Sequence, residues 1–408
     1  MRRELSDLFP ALKNRIGGKE LIYLDSACTS LKNSLAAELE KKMLLEAGFC
    51  AGKRSVNPAS ALAQDFYERA REKTASFLNA HPQEVVFVSG STEAFNIVAS
   101  SMNFSAGDEI FISALEHNSV FLPFLRVARE KKLKINVIPL KGWRPDIEFF
   151  KKNISSRAKL LCLTASSNLT GGVQDLSRFL ALARKYNTKV LVDAAQYAAT
   201  HEIDVKKIGA DFLAFSGHKL TAPFGTGVLW IKKDNFKILN SSRLGGGTVK
   251  EIYKDSKGLK ADLLEGFYSF EAGIQNYSGA CALAETLSLL RSEGMERIRK
   301  RVAELVRIAQ LSLSEIGTLK ILGEGLEEGS LVSFVPLYKK FSIADFQLYM
   351  SSLPGSRVFA FRAGRMCADL VCMELGIKGA VRISFNFYND EKDVEIFIKG
   401  LKSYLKSL

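Results

Sequence analysis

This sequence predicts an α/β chain built on a seven-stranded, mainly parallel sheet, followed by a smaller α+β unit. Three observations carry that expectation. Seven short apolar runs recur, at Val85–Val88, Glu109–Ile112, Ile135–Leu140, Leu160–Thr164, Lys189–Val192, Phe212–Phe215 and Gly227–Ile231. Segments of helical spacing separate most of them, Val120 to Lys131 and Leu176 to Lys185 among them, and such alternation argues a parallel sheet covered on both faces. Polar clusters fall just after the runs, and ligands of such sheets bind outside the strand carboxyl ends.

Taken in order, residues 1–18 read as a short amphipathic lead-in, 19–275 as the large domain and 276–408 as the small one. Leu21 to Asp25 is an extended entry. Asp65 to Asn79 carries helical spacing through Phe66, Ala70, Phe77 and Leu78. The pattern changes after the Gly245-Gly246-Gly247 turn and the polar stretch Lys250 to Lys260. Ala280 to Leu313 reads as long helix broken near Gly294. Short strands and helices then alternate, at Leu331–Leu337, Ile343–Ser351, Arg357–Phe361, Val381–Phe387 and Asp390–Leu405.

Composition narrows the function classes. The 408 residues suffice for a large core, and there is no apolar run of about 18 residues that would span a membrane. The segment Met1–Pro10 lacks the apolar stretch of a signal peptide, so a cytoplasmic enzyme is expected. Cys28, Cys50, Cys162, Cys281, Cys367 and Cys372 are scattered without a CxxC pair, which argues against a zinc site or a disulfide framework. Net charge is +13, from 57 basic and 44 acidic residues. The basic residues are spread along helical stretches such as Arg297 to Arg307, with no aromatic-interleaved cluster. They read as a solvated surface rather than a nucleic-acid site.

The chemistry concentrates at the ends of the runs. Phe212–Phe215 leads into Ser216-Gly217-His218-Lys219, a lysine beside hydroxyl and imidazole donors. That setting suits a Schiff base to pyridoxal phosphate (PLP), with neighbours holding the phosphate. Asp193 ends the preceding run. A buried carboxylate needs a positive partner, and a protonated pyridine nitrogen is one. Gly90-Ser91-Thr92-Glu93 follows a strand and opens a helix, an arrangement that binds anions. Of the four histidines, His81 sits in a turn before Pro82, His201 receives no role, and His117 and His218 follow strands.

Asp193-Ala194-Ala195-Gln196 with Ser216-Gly217-His218-Lys219 resembles the class V aminotransferase superfamily, and within it the cysteine desulfurases. The resemblance covers nearly the whole chain and implies the PLP-dependent type I aminotransferase fold, in a homodimer. It implies that Lys219 carries PLP, that Asp193 faces the ring nitrogen, and that Ser91, Thr92, Ser216 and His218 hold the phosphate. His117 then stacks on the ring and exchanges a proton with substrate. Gln196 meets the phenolic oxygen, and Asn168, in Ser166-Ser167-Asn168-Leu169-Thr170-Gly171-Gly172, contacts ring and substrate carboxylate.

Further on, Arg362-Ala363-Gly364-Arg365-Met366-Cys367-Ala368 resembles the catalytic-cysteine loop of the type II branch, SufS-like and selenocysteine lyase-like. Cys367 aligns with the nucleophile and Arg382 with the carboxylate clamp, with Arg362 beside them. Flanking positive charge favours a thiolate, and Arg365 is its nearest source. The implied reaction takes L-cysteine to L-alanine, leaving a persulfide on Cys367 for an acceptor protein. Selenocysteine lyase, transaminase and epimerase chemistry remain alternatives on the same scaffold. Beyond these stand a non-catalytic scaffold and, from charge alone, a nucleic-acid binder. Three positions depart from the family pattern. Arg365-Met366 replaces a histidine pair, Lys53-Arg54-Ser55-Val56-Asn57 ends in asparagine instead of histidine, and Ile274 follows Phe270-Glu271-Ala272-Gly273 where threonine is usual.

Overall fold

The computed structural model describes residues 7–51, 57–326, 328–353 and 357–408. Its centre is a seven-stranded sheet of β1 (Val85–Val88), β2 (Glu109–Ser113), β3 (Lys134–Ile138), β4 (Ala158–Thr164), β5 (Lys189–Asp193), β6 (Phe212–Ser216) and β7 (Gly227–Ile231), ordered β1-β7-β6-β5-β4-β2-β3. Only β7 runs against its neighbours. Side chains alternate between the two faces. Leu213 and Phe215 of β6 join one apolar cluster, and Phe212 and Ala214 join the other. Both faces are covered, which is why the strands read as continuous apolar runs.

The principal helices around the sheet are α1 (Ser34–Glu46), α2 (Pro58–Leu78), α3 (Ser91–Ser101), α4 (Asn118–Lys131) and α5 (Tyr277–Glu293). Tyr67 and Phe77 of α2 and Leu283 and Leu287 of α5 pack on one face, Phe95 of α3 and Phe124 of α4 on the other. Asn57 has a local job: its side chain accepts from Ser60 N–H at 2.8 Å and caps α2, whereas 53–56 of the same motif lie outside the described residues. At the Phe270–Gly273 motif, Glu271 takes two hydrogen bonds of 2.8 Å from the fully buried Arg71 guanidinium. The Ile274 side chain that follows is left on the surface.

Gly294, at φ 82, ends α5 and starts α6 (Met295–Ser314), the expected break in the long helix. Beyond it, β8 (Leu319–Leu322), β9 (Leu331–Pro336), β10 (Arg362–Gly364) and β11 (Ala380–Ser384) form an antiparallel sheet ordered β8-β9-β11-β10, and α7 (Glu391–Lys406) packs with α6. Two features go beyond the sequence reading. The polar stretch Lys250 to Lys260 lies within an exposed antiparallel hairpin, Val249–Asp255 with Gly258–Leu263. The early strand Lys19–Tyr23 pairs in parallel with Arg357–Ala360, which ties the start of the chain to its C-terminal third. That pairing continues as a bridge from Asp25 to Ser384, so the residues after Tyr23 sit against β11. Among the described residues no helix is long and apolar enough to cross a membrane.

Candidate active site

The strand ends of the large sheet and the edge of the small one enclose a cavity of about 290 Å³. All the residues expected at a site line it. From the N-terminus of α3 and the end of β6 come Ser91, Thr92, Ser216, His218 and Lys219; from the ends of neighbouring strands, His117, Asp193 and Gln196; from the small sheet and its loop, Arg362, Cys367 and Arg382; and from the loop after β4, Asn168. Close backbone approach builds the end of the cavity at α3. A Cβ on Gly227 would come within 2.7 Å of Gly90 Cα, so β7 presses directly against the turn that opens α3. There Ser216 Oγ accepts from Ser91 N–H at 2.8 Å, and Thr92 Oγ1 lies 2.8 Å from Ser119 Oγ. The His218 ring stacks on Phe224.

Lys219 ends a single 3-10 turn, Gly217–Lys219, that directly continues β6. Burial lowers its amine pKa, Asp193 opposes that shift, and Arg382 adds to it. Burial likewise raises the Asp193 carboxyl, although Lys219 and the 2.8 Å bond from Ala195 N–H pull it back. Glu116 is wholly buried and held well above the usual carboxyl range by burial and by Asp193, against the 2.6 Å bond from Thr164 N–H. His117 caps α4, its Nδ1 accepting from Ser119 N–H at 3.0 Å. Burial, then Lys219 and Arg382, push its pKa down to about 4, and the imidazole is neutral at neutral pH. His218 is pushed to about 4 by burial, Lys219 and Lys32.

The cysteine loop is strained and pinned. Met366 and Cys367 both have positive φ, 55 and 54, which side chains of L-residues avoid at a cost of about 1–3 kcal/mol each. Two bonds of 2.8 Å hold them: Asn168 Nδ2 donates to the Met366 carbonyl, and Asn118 N–H donates to the Cys367 carbonyl. The Asn118 side chain also exchanges bonds with Asp369. Cys367 is exposed at the end of this support, whereas Cys372 is buried. Arg365, expected to supply positive potential, pairs with Asp369 at 2.9 Å, and Lys219 interacts electrostatically with Cys367 across the cavity.

The arginines meet a residue that the sequence reading did not single out. Asp25 accepts from Arg362 at 2.6 Å and from Arg382 at 3.2 Å. Arg382 also donates to the Asn168 carbonyl at 2.8 Å and is only 2% exposed. Burial therefore wins over pairing and lowers the Arg382 pKa; for the half-exposed Arg362 the same burial penalty is outweighed by Asp25. An apolar run ending in a carboxylate, as at Asp193, was the available signal for Asp25. Gln196 spends one amide N–H on the Ala27 carbonyl at 2.8 Å.

These groups suit PLP. Asp193 is a buried carboxylate awaiting a cation, Lys219 is a buried amine whose pKa burial lowers, and hydroxyls cluster at the N-terminus of α3. Asn168 Oδ1 and Arg382 Nε are buried at the same wall without a hydrogen-bond partner among the described residues, as expected where a ligand completes the site.

Residues 22–397 match the family model described as aminotransferase class-V. A probable cysteine desulfurase of Borreliella burgdorferi is 34% identical, over 98% of this chain and 95% of its own length. A cysteine desulfurase of Salmonella agona is 31% identical, over 96% and 95%. Among solved structures, an apo cysteine desulfurase from Thermococcus onnurineus NA1 superposes with a TM-score of 0.90 at 31% identity, covering 100% of this chain and 98% of its own. The cysteine desulfurase CsdA from Escherichia coli, in an S-sulfonic acid form, gives 0.87 at 30% identity, covering 100% and 99%. By sequence over nearly its whole length and by its fold, the chain belongs to the aminotransferase class-V family, among relatives named as cysteine desulfurases.

Proposed function

We propose that this protein is a PLP-dependent cysteine desulfurase that converts L-cysteine to L-alanine and receives the sulfur as a persulfide on Cys367. The observation that carries this reading is an exposed thiol, Cys367, facing the same cavity as the enclosed amine of Lys219. Bound there, PLP supplies a sink for the electrons released at the substrate α-carbon. Arg382 holds the substrate carboxylate, because a guanidinium fork matches it. Asn168 Oδ1 is free to accept from the substrate. Lys219 Nζ, at the end of β6 and facing the cavity, takes and returns the α-proton. His117, its pKa pushed down to about 4, would present its imidazole to the ring and the reacting centre. Asp193, buried beside Lys219, would pair with the protonated ring nitrogen of bound PLP. Cys367 Sγ attacks the substrate sulfur, the Cβ–S bond breaks with its electron pair left on the substrate carbon that is protonated to alanine, and the pinned loop keeps the thiol directed at the cavity.

We place the enzyme in a homodimer. Exposed Phe224, Leu244 and Ile274 are apolar and suit contact with a second copy, the apolar Ile274 standing where a hydroxyl is usual. A sulfur-acceptor protein takes the persulfide sulfur, and the setting is cytoplasmic.

The test uses PLP-loaded protein and L-cysteine. Borohydride reduction and peptide mapping should place the cofactor on Lys219, and alanine should form in wild type but not in Cys367→Ser. Undiminished alanine formation by Cys367→Ser refutes the sulfur-transfer reading.

A further inference from the structure

The cavity holds a second thiol. Cys28 lies in the turn after Asp25 and lines the same wall as Lys219, Cys367 and Arg382. Its surroundings differ from those of the structural cysteines. Cys162, Cys281 and Cys372 are buried in apolar clusters, whereas Cys28 belongs to no such cluster and is half-buried. Arg362 Nη2 lies 2.8 Å from its Sγ, and the charges of Lys219 and Arg382 also reach it. Guanidinium contacts of this kind hold anionic sulfur. A second observation marks this wall as ligand-binding. Arg382 Nε and Asn168 Oδ1, in residues 2% and 7% exposed, line it and lack partners among the described residues.

We propose that Cys28 is a second sulfur-carrying thiol of this site, which takes the outer sulfur atom from the Cys367 persulfide. The proposal rests on Cys367 as the first carrier. Cys28 Sγ attacks the outer sulfur of Cys367–S–SH; a new S–S bond forms to Cys28 while the S–S bond at Cys367 breaks. The electron pair leaves on Cys367 Sγ, which takes up the proton that Cys28 gives up. One persulfide and one thiol become one thiol and one persulfide, so no oxidant or reductant is needed. The guanidinium of Arg362 is placed to hold the sulfur anion that Cys28 then bears. Transfer frees Cys367 to attack a second substrate while the first sulfur stays inside the cavity.

The test is peptide mapping of the PLP-loaded protein after incubation with L-cysteine, without reductant, with persulfides trapped by alkylation. Wild type should carry one extra sulfur on both the Cys28 and the Cys367 peptides, the Cys367 adduct appearing first. In Cys367→Ser the Cys28 adduct should be lost. Sulfane sulfur per chain, measured by cyanolysis, should fall about twofold in Cys28→Ser. An adduct on Cys367 alone in wild type overturns the relay and leaves the desulfurase reading intact. An adduct on Cys28 that persists in Cys367→Ser also overturns it, because the sulfur then reaches Cys28 by another route. No adduct on either residue while alanine forms overturns both the relay and the role of Cys367. The wild-type mapping decides the matter even where a variant folds poorly.

Discussion

Replacing Asp25 with asparagine tests whether the carboxylate between the two arginines is what keeps Arg382 charged in a dry wall. Asp25 is 7% exposed, and its oxygens accept from Arg362 at 2.6 Å and from Arg382 at 3.2 Å. Stranding one partner of a buried ion pair costs about 3–5 kcal/mol. Two features lower that figure here. The asparagine carbonyl and the Asn168 carbonyl, at 2.8 Å, still accept from Arg382. Arg362, with its side chain 44% exposed, rehydrates, so its bond contributes no more than about 1 kcal/mol. The expected loss is about 2–3 kcal/mol, read as a lower urea midpoint of Asp25→Asn. A second arm uses L-alanine, whose carboxylate replaces the missing anion on Arg382. In PLP-loaded protein it should raise the midpoint of Asp25→Asn more than that of wild type. A loss below about 0.5 kcal/mol, or equal stabilisation of both proteins by alanine, would show that Asp25 does not compensate Arg382.

Arg382→Ala should raise KM for L-cysteine by the equivalent of about 2–5 kcal/mol while the absorbance of the resting cofactor stays put. An unchanged KM would assign the carboxylate to another group. Asn118→Ala removes the bond to Asp369 at 2.7 Å and should cost about 1–2 kcal/mol while speeding iodoacetamide alkylation of Cys367; equal alkylation rates would mean that the loop is held elsewhere. The buried imidazoles make the cofactor-free protein acid-sensitive. His117 and His218 fall from 6.5 to about 4 on folding, so the unfolded chain takes up protons first, and stability present above 6.5 is lost as pH drops toward 4. The gap is worth up to about 3 kcal/mol per histidine, and partial exposure reduces this to about 1–2 kcal/mol. Urea midpoints across that window check it: His218→Asn should lose less than wild type, and an equal loss contradicts the assignment.

Much of the site was legible because it is local. A strand whose faces are both covered reads as an unbroken apolar run, so Phe212–Phe215 and Lys189–Val192 announced themselves, and the polar residues at their ends, Lys219 and Asp193, fell at the ligand side of the sheet by the geometry of parallel strands. The family resemblance then pointed to Cys367 and Arg382 on a separate sheet. The exposed hairpin at Val249–Leu263 was harder to read, since both its faces meet solvent and no apolar alternation survives.

What only tertiary structure decided involves partners far apart in the chain. Asp25 finds Arg382 because Lys19–Tyr23 lies in register on Arg357–Ala360 and the bridge from Asp25 to Ser384 extends that pairing. The same register brings Cys28 to Arg362. Arg365, which the sequence made a source of positive potential for Cys367, instead pairs with Asp369 four residues on. Local pattern reports which side chains leave water. It carries no information on which distant charge a buried group meets, and in this cavity those meetings adjust what burial does to each residue.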